Sequence, residues 1–423
     1  MRRTPRLFIV IVIIIALVFG VLFAIKFAKG YRPSFSNKAF RGTGLLAANS
    51  SPRGASVFIN DKLTTATDDT LNLPPGEYQV KIAKDGYIPW EKTLILEPEL
   101  VTQTNTRLFP SVPDLKPLTF TGALNPTPSP DGQKILFAVE NATTDTKNGL
   151  YVLELNSNPL SFNSGARQIT RQSQKYDFVQ ANLFWSPDSA QILAVLDQGQ
   201  SNELNVLLNP SSFNDIEDLK DVTAQLPVIQ NEWLELQDKK DHELLIELPE
   251  FMQKVATQSA HTYYFNPEND KLLYTPSEDL TIPSELIPPL PASSTQLETR
   301  ELKANNVYIY DFEEDKNFWI TESPILPTND LETESQLGKL NRRYSPLSPQ
   351  SIMWFPDSRH IIIVKEDKII IAEYDGTNRH TVYAGPFANS FAYPWPNGSR
   401  LIIMASLNGG SNLPPNLYSI NLK

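Results

Sequence analysis

Short, unbroken apolar runs recur along the last three hundred residues of the chain, each preceded by a polar turn. Ile192, Leu193, Ala194, Val195 and Leu196 form one such run. It is too short for a helix and too apolar for a loop, so it predicts a buried strand. Phe184-Trp185-Ser186-Pro187-Asp188-Ser189 leads into it. Proline sets φ for the turn, and aspartate can cap the following amides. The same text recurs as Ser129-Pro130-Asp131-Gly132 before Ile135, and as Phe265-Asn266-Pro267-Glu268-Asn269 before Leu272. It returns as Trp354-Phe355-Pro356-Asp357-Ser358 before Ile361, and as Trp395-Pro396-Asn397-Gly398 before Leu401. In all five copies the apolar run begins five residues after the proline. One such turn is common, but five in register make an internal repeat.

Each copy extends further. A second apolar run and a shorter, more polar one follow: Gly149 to Leu155 then Arg167 to Thr170, and Leu204 to Leu208 then Asp221 to Thr223. The next copies continue with Asn306 to Asp311 then Phe318 to Thr321, and Lys368 to Glu373 then His380 to Tyr383. The last ends on Asn416 to Asn421. Every unit thus predicts an aromatic leading strand, a turn, two buried strands and an edge strand, which is the blade of a β-propeller. The repeat resembles the TolB-type, WD40-like propeller repeat, whose core is an aromatic-Ser-Pro-Asp-Gly turn and an apolar strand. The unit at Pro187 matches it closely, and the unit at Pro396, with Asn397 for Asp, departs most.

The repeat prolines are spaced by 57, 80, 89 and 40 residues. The 80-residue gap has room for a worn blade. Residues 231–236 (NEWLEL) and 242–248 (HELLIEL) fit one that has lost its Pro-Asp turn. Six blades are expected, with five and seven as the neighbouring counts. A Pro/Ser-rich insertion at 277–298 and a stretch at 324–346 account for the 89-residue gap as long surface loops.

Upstream the texture changes. Ala55 to Asn60 alternates and turns at Asp61, and Glu77 to Ile82 places Tyr78, Val80 and Ile82 on one face. Pro74-Pro75-Gly76 and Asp85-Gly86-Tyr87 are turns, and Trp90 to Leu96 is another strand. Pro52-Arg53-Gly54-Ala55, Leu73-Pro74-Pro75-Gly76-Glu77-Tyr78 and Asp85-Gly86-Tyr87 resemble the signature turns of the PEGA domain family, with Arg53 where that family has Glu. The resemblance covers residues 44–110. It implies a small surface-exposed β-sandwich, Ig-like or transthyretin-like, often beside a membrane anchor, and no catalysis. The division expected is therefore a tail at 1–6, a transmembrane helix at 7–28, a linker at 29–43, the sandwich at 44–110 and the propeller at 111–423.

The span rests on Leu7 to Ile25, nineteen residues without a charge. At about 1.5 Å per residue this nearly crosses a hydrocarbon core of about 30 Å, and Phe27 and Ala28 extend it. The small-x-small cleavage signature of a signal peptide does not follow it, so an uncleaved anchor is expected. Three basic residues precede the span and five lie within sixteen residues after it, which by the positive-inside rule favours a cytoplasmic body. A six-residue tail with three arginines is nonetheless the usual start of a signal anchor, and the domain types favour export. The expectation is a single-pass membrane protein with residues 44–423 outside the cytoplasm.

Composition sharpens this. Thirty-four prolines against 18 glycines suit a turn-rich β protein, and with no cysteine there are no disulfides or thiolate chemistry. The net charge of −11 conceals an asymmetry: residues 1–43 hold eight basic and no acidic residues. Taken from 37, they leave 29 basic against 48 acidic, a net of −19 over residues 44–423. A body so acidic is repelled by nucleic acid and by anionic lipid.

Candidate chemistry is sparse. The four histidines, His242, His261, His360 and His380, lie in no nucleophile or zinc-site frame. The acidic runs at 68–69, 238–241 and 313–315 lack the alternating ladder of a calcium loop. Asp131, Asp188 and Asp357 read as turn caps, and no cofactor or metal is expected. Aromatic residues near strand ends are the stronger lead: Trp233, Trp319, Tyr263, Tyr264, Tyr393 and Trp395 are the candidate partner-contacting residues. The function expected is a non-catalytic cell-surface protein whose propeller binds a protein, peptide or glycan at the envelope. The alternative is a propeller hydrolase or lyase with its site at the central channel, since fold alone does not decide function.

Overall fold

The structure, a computed structural model, describes residues 4–28, 32–34, 39–155, 165–197, 199, 203–290, 293–322, 352–385, 387–388, 390–407 and 414–423. The chain divides into two compact units. One comprises Met1–Phe109 and Pro289–Leu297; the other comprises Pro110–Pro288 and Glu298–Lys423. The expected loop at 324–346 lies outside the described residues.

The first unit opens with helix α1, Thr4–Ala28, whose segment Phe8–Ile25 is apolar throughout, unburied and long enough to cross a membrane. A β-sandwich follows. Strand Gly44–Ala48 pairs antiparallel with Asp69–Leu73 and parallel with Val101–Gln103. The second sheet runs Lys62–Ala66, Ser56–Ile59, Gly76–Ala83, Trp90–Leu96, antiparallel throughout. Alternation sets its inner face, as the sequence pattern predicts: Val80 and Ile82 are buried, with Tyr78 packed beside them, in a core shared with Leu46, Val57, Trp90 and Leu96. Burying each such aliphatic side chain contributes about 1.5–3 kcal/mol. Part of the 277–298 insertion belongs to this unit: Gln296 Nε2 donates to Thr93 O at 2.8 Å.

The second unit is a β-propeller. Its first blade is an antiparallel meander of Leu124–Pro128, Lys134–Val139, Gly149–Glu154 and Arg167–Arg171. The second holds Asn182–Trp185, Ile192–Asp197 and Glu203–Leu208. The third is built from Ala260–Phe265, Lys271–Pro276, Asn306–Asp311 and Lys316–Glu322. The fourth is built from Ile352–Trp354, His360–Val364, Lys368–Glu373 and His380–Ala384. In the fifth, Ala392–Pro394, Arg400–Ala405 and Asn416–Asn421 are completed by Leu115–Pro117, from the start of the unit. That pairing closes the ring across about three hundred residues of sequence.

The buried strands read as continuous apolar runs because both of their faces are covered. In the first blade Ile135, Phe137 and Val139 pack against the fifth blade, with Trp395, Ile402 and Leu417. Leu136 and Ala138 pack the other way, against Leu183, Trp185 and Ile192 of the second.

The five Pro-turns share one geometry. The amide two residues past the proline donates to the carbonyl just before it, at 2.7–3.1 Å. That residue has positive φ in all five: Gly132, Ser189, Asn269, Ser358 and Gly398, at 59–68°. A non-glycine residue there costs about 1–2 kcal/mol. Both serines gain something in return. Ser189 Oγ accepts from Asp131 N, and Ser358 Oγ from Glu268 N, each at 3.0 Å and each in the preceding blade. The indoles of Trp185 and Trp354 make a second equivalent pair of inter-blade bonds, donating to Thr127 O and Tyr264 O at 3.1 Å.

The expected sixth blade is corrected. Residues 226–245 form a helix, α2 (Leu226–Leu245), followed by α3, Glu250–Gln258. Pro227 sits in the first turn of α2, where its missing N–H is no loss. Ile229, Trp233 and Gln237, spaced four apart, face inward. Trp233 and Ile229 pack on Leu193 and Val222 of the second blade. Leu245, at the end of α2, joins Leu248, Met252 and Val255 against Leu272 and Tyr274 of the third. The helices thus span the second and third blades, and the described residues hold five blade sheets.

Candidate functional site

The second blade is incomplete at its outer edge. Each other blade pairs a fourth strand there; here Asp221 makes a single bridge to Val206. Two clefts lie by this blade, one between it and α2 and one along the loop at 209–222. One part, about 550 Å³, is lined by Asp188, Gln191, Leu207, Asn209, Glu232 and Trp233, among others. A second part, about 380 Å³, is lined by Phe213, Asp215, Asp218, Leu219, Lys220 and Val222. Leu207 and Asn214 line both parts. Leu207 is half-buried in the lining, whereas Leu208, Trp233 and Val222 are buried and already packed in the neighbouring cores. The rim carries Asp188, Asp215, Asp218, Glu232 and Lys220, with Lys240 beside Asp188 and Arg171 over Phe213.

Local hydrogen bonds shape the groove. Asn214 closes the loop at 209–214: its Oδ1 accepts from Asn209 N at 2.8 Å, and its Nδ2 donates to Ile169 O at 3.0 Å. Phe213 is exposed beneath Arg171, whose guanidinium carbon lies 5.5 Å from the ring centre. Burial works to raise the Asp188 carboxyl. The Ser186 hydroxyl at 2.6 Å, the Ala190 amide at 3.1 Å and the charge of Lys240 outweigh it and hold Asp188 below the usual carboxylate value. Asp188 is thus a turn cap that also presents a fixed negative charge to the groove.

The six aromatic candidates are dispersed. Trp233 is buried on α2 and lines the groove floor. Trp319 is 42 % exposed on the outer strand of the third blade, with the Arg379 guanidinium carbon 5.8 Å from its ring centre. Tyr263 and Tyr264 are half-buried on the leading strand of the third blade, facing different cores. Tyr393 and Trp395 pack together in the core between the fifth and first blades. Sequence reading passed over Phe213, Asn209, Asn214 and Leu207. The one signal for them was the Asn-Pro-Ser-Ser-Phe-Asn-Asp turn text of 209–215.

Among the described residues no three His, Asp or Glu side chains converge as metal ligands. His360 is buried, with Nδ1 2.9 Å from Asp357 Oδ2, inside its own repeat turn. His380 is half-buried, and burial first, then the neighbouring His360, lower its pKa from the ordinary 6.5, with Glu373 opposing. The sign follows. Below about pH 6.5 the unfolded chain takes up a proton that the folded chain still refuses, so stability falls as pH falls. His380→Gln is therefore expected to flatten the fall in urea midpoint between about pH 7.5 and 5.5; an unchanged slope would refute that role.

Comparison with known proteins places residues 43–111 in register with the PEGA domain. No curated protein matches the chain. Among solved structures it is similar to a putative TolB from Agrobacterium tumefaciens, at 12 % identity and a TM-score of 0.22, over 72 % of this chain and 75 % of that one. TolB from Acinetobacter baumannii matches at 11 % identity and 0.23, over 88 % of this chain and 64 % of that one. An oligogalacturonate lyase from Vibrio parahaemolyticus matches at 8 % identity and 0.26, over 90 % and 98 %.

Proposed function

We propose that this chain is a membrane-anchored cell-surface protein whose propeller binds a protein, peptide or glycan partner without catalysis. The observation that carries the reading is the apolar, unburied helix Phe8–Ile25 ahead of two β units. Such a helix is held by lipid on all sides. A PEGA-type sandwich fits a position beside an anchor. The propeller supplies a rigid scaffold from which loops and an open groove can recognise a partner. The acidic body, −19 over residues 44–423, keeps it soluble and away from anionic lipid.

Protease shaving of intact cells tests the orientation. Residues 44–423 are expected to be released or degraded by external protease, and full protection would reject the exported body. A pull-down from envelope extract with the full chain in nanodiscs tests binding. Enrichment of a discrete partner supports the reading. Turnover of a model glycan or peptide substrate with no partner enriched would reject it in favour of a propeller hydrolase or lyase.

A further inference from the structure

We infer that Ile287-Pro288-Pro289-Leu290, in the insertion between the second and third strands of the third blade, is a polyproline II ligand for an aromatic-lined groove on a partner protein. This rests on the binding reading above and adds a contact surface and the chemistry of its partner. The conformation follows from the sequence. Pro288 and Pro289 hold φ at about −65°. Ile287, Pro288 and Leu290 each precede a proline, Leu290 through Pro291, which moves them out of the α region into the extended one. Every residue of the run is thus constrained toward the same left-handed helix of about three residues per turn. Residues 287–290 belong to no helix or strand, and the two prolines have no N–H to give to a ladder. Such a helix keeps its carbonyls and its proline ridges open to a groove of aromatic side chains.

The structure displays this run and holds the chain on both sides of it. Pro288, Pro289 and Leu290 are exposed, Leu290 to 48 %. Ahead of them, Ile282 and Leu286 pack in the core of the third blade with Tyr274, Tyr308 and Tyr310. The Leu286 amide donates to Asp315 Oδ2 at 3.0 Å. Arg300 clips the neck of the insertion: its Nη1 donates to Pro283 O at 2.6 Å and its Nε to Glu298 Oε2 at 3.0 Å. Its Nη2 lies 3.2 Å from Asp315 Oδ2, which ties the neck to the blade. A ligand so restricted has little freedom left to lose when it binds. The chain's two other Pro-Pro pairs are not presented in this way. Pro414-Pro415 is half-buried, and Pro74-Pro75 leads directly into the strand Gly76–Ala83, with the Pro74 carbonyl taken by Tyr78 Oη at 2.8 Å. Of the three, Pro288-Pro289 alone is followed two residues on by another proline.

The test uses the full chain in nanodiscs and, as probe, a labelled WW domain that reads Pro-Pro-Leu-Pro, followed by fluorescence anisotropy against empty nanodiscs. The free peptide of residues 284–294 is the reference ligand. Saturable binding to the full chain is expected, at least as tight as to the peptide, because the run is already ordered. P288A/P289A should weaken it at least about tenfold. P74A/P75A, at the exposed pair in the sandwich, should stay within about twofold. In the envelope pull-down, the partner enriched by the native chain should be lost with P288A/P289A. Absence of saturable binding to the full chain, weaker binding than to the peptide, or an equal loss in P74A/P75A would overturn the ligand. So would a partner retained in full by P288A/P289A, and in that case the surface-binding reading stands without this contact. If the probe and the pull-down behave as expected but the body is protected from shaving, the contact stands and only the exported orientation falls.

Discussion

Trp185→Ala is expected to destabilise the propeller by about 4 kcal/mol, near the middle of the range for removing a buried tryptophan. Trp185 is 4 % exposed and packs among Leu183, Ile192 and Phe178 in the core shared by the first two blades. Its indole N–H also donates to Thr127 O at 3.1 Å, so truncation leaves a buried carbonyl without that partner. Trp185→Phe keeps most of the apolar burial and loses the bond, and should cost about 1–2 kcal/mol. Trp354 occupies the same repeat position and bonds Tyr264 O, but it is only half-buried. Trp354→Ala should therefore cost about 2 kcal/mol, the smaller cavity term deciding the difference. Urea midpoints of the propeller transition check the order. A cost below about 1.5 kcal/mol for Trp185→Ala, or a larger one for Trp354→Ala, would show that the inter-blade indole does not hold the ring.

That hierarchy also shows what was readable in the chain. The Pro-turns were legible because proline and aspartate act locally, within six residues. The apolar runs were legible because a blade covers both faces of its inner strands. The sixth blade was misread for a related reason. The 80-residue spacing invited another unit, and Trp233 with Leu244-Leu245-Ile246 supplied apolar text for it. The local pattern says otherwise: Leu226, Ile229, Trp233 and Gln237 recur at three and four, with no glycine or proline between Pro227 and Pro249.

Closure of the ring by Leu115–Pro117 carries no local signature at all. Its partner strand lies about three hundred residues away, and Thr119 and Asn416, which lock it through a 3.0 Å side-chain bond, are unremarkable in text. The groove was illegible for the same reason. Its residues come from a turn at 188–191, the strand end at 207–208, a loop at 209–222 and a helix. The aromatic residues chosen from strand ends went largely into cores, because a strand end in a propeller is still flanked by neighbouring blades.

Asp311→Ala is expected to cost about 3 kcal/mol, at the lower end for breaking one side of a buried ion pair. Lys271 and Asp311 are cross-strand partners in the third blade, with side chains 9 % and 3 % exposed and Nζ 3.4 Å from Oδ2. Burial pulls the Lys271 ammonium down, but Asp311 and Asp270 more than offset it and hold its pKa above the ordinary value. The Tyr374 ring covers it, its centre 4.9 Å from Nζ. Asp270, 2.9 Å away, keeps the lysine partly matched after the substitution, which is why the cost stays low in the range. Asp311 Oδ1 also accepts from the Glu313 and Glu314 amides at 3.1 Å, so the charge must be separated from the turn. Asp311→Asn keeps an acceptor for those amides and removes only the charge. In a double-mutant cycle with Lys271→Met, the pair K271M/D311N should cost less than the two single changes together by about 1–3 kcal/mol. Strict additivity in urea midpoints would mean that Asp311 contributes through its turn alone and that Lys271 is held by Asp270 and the Tyr374 ring.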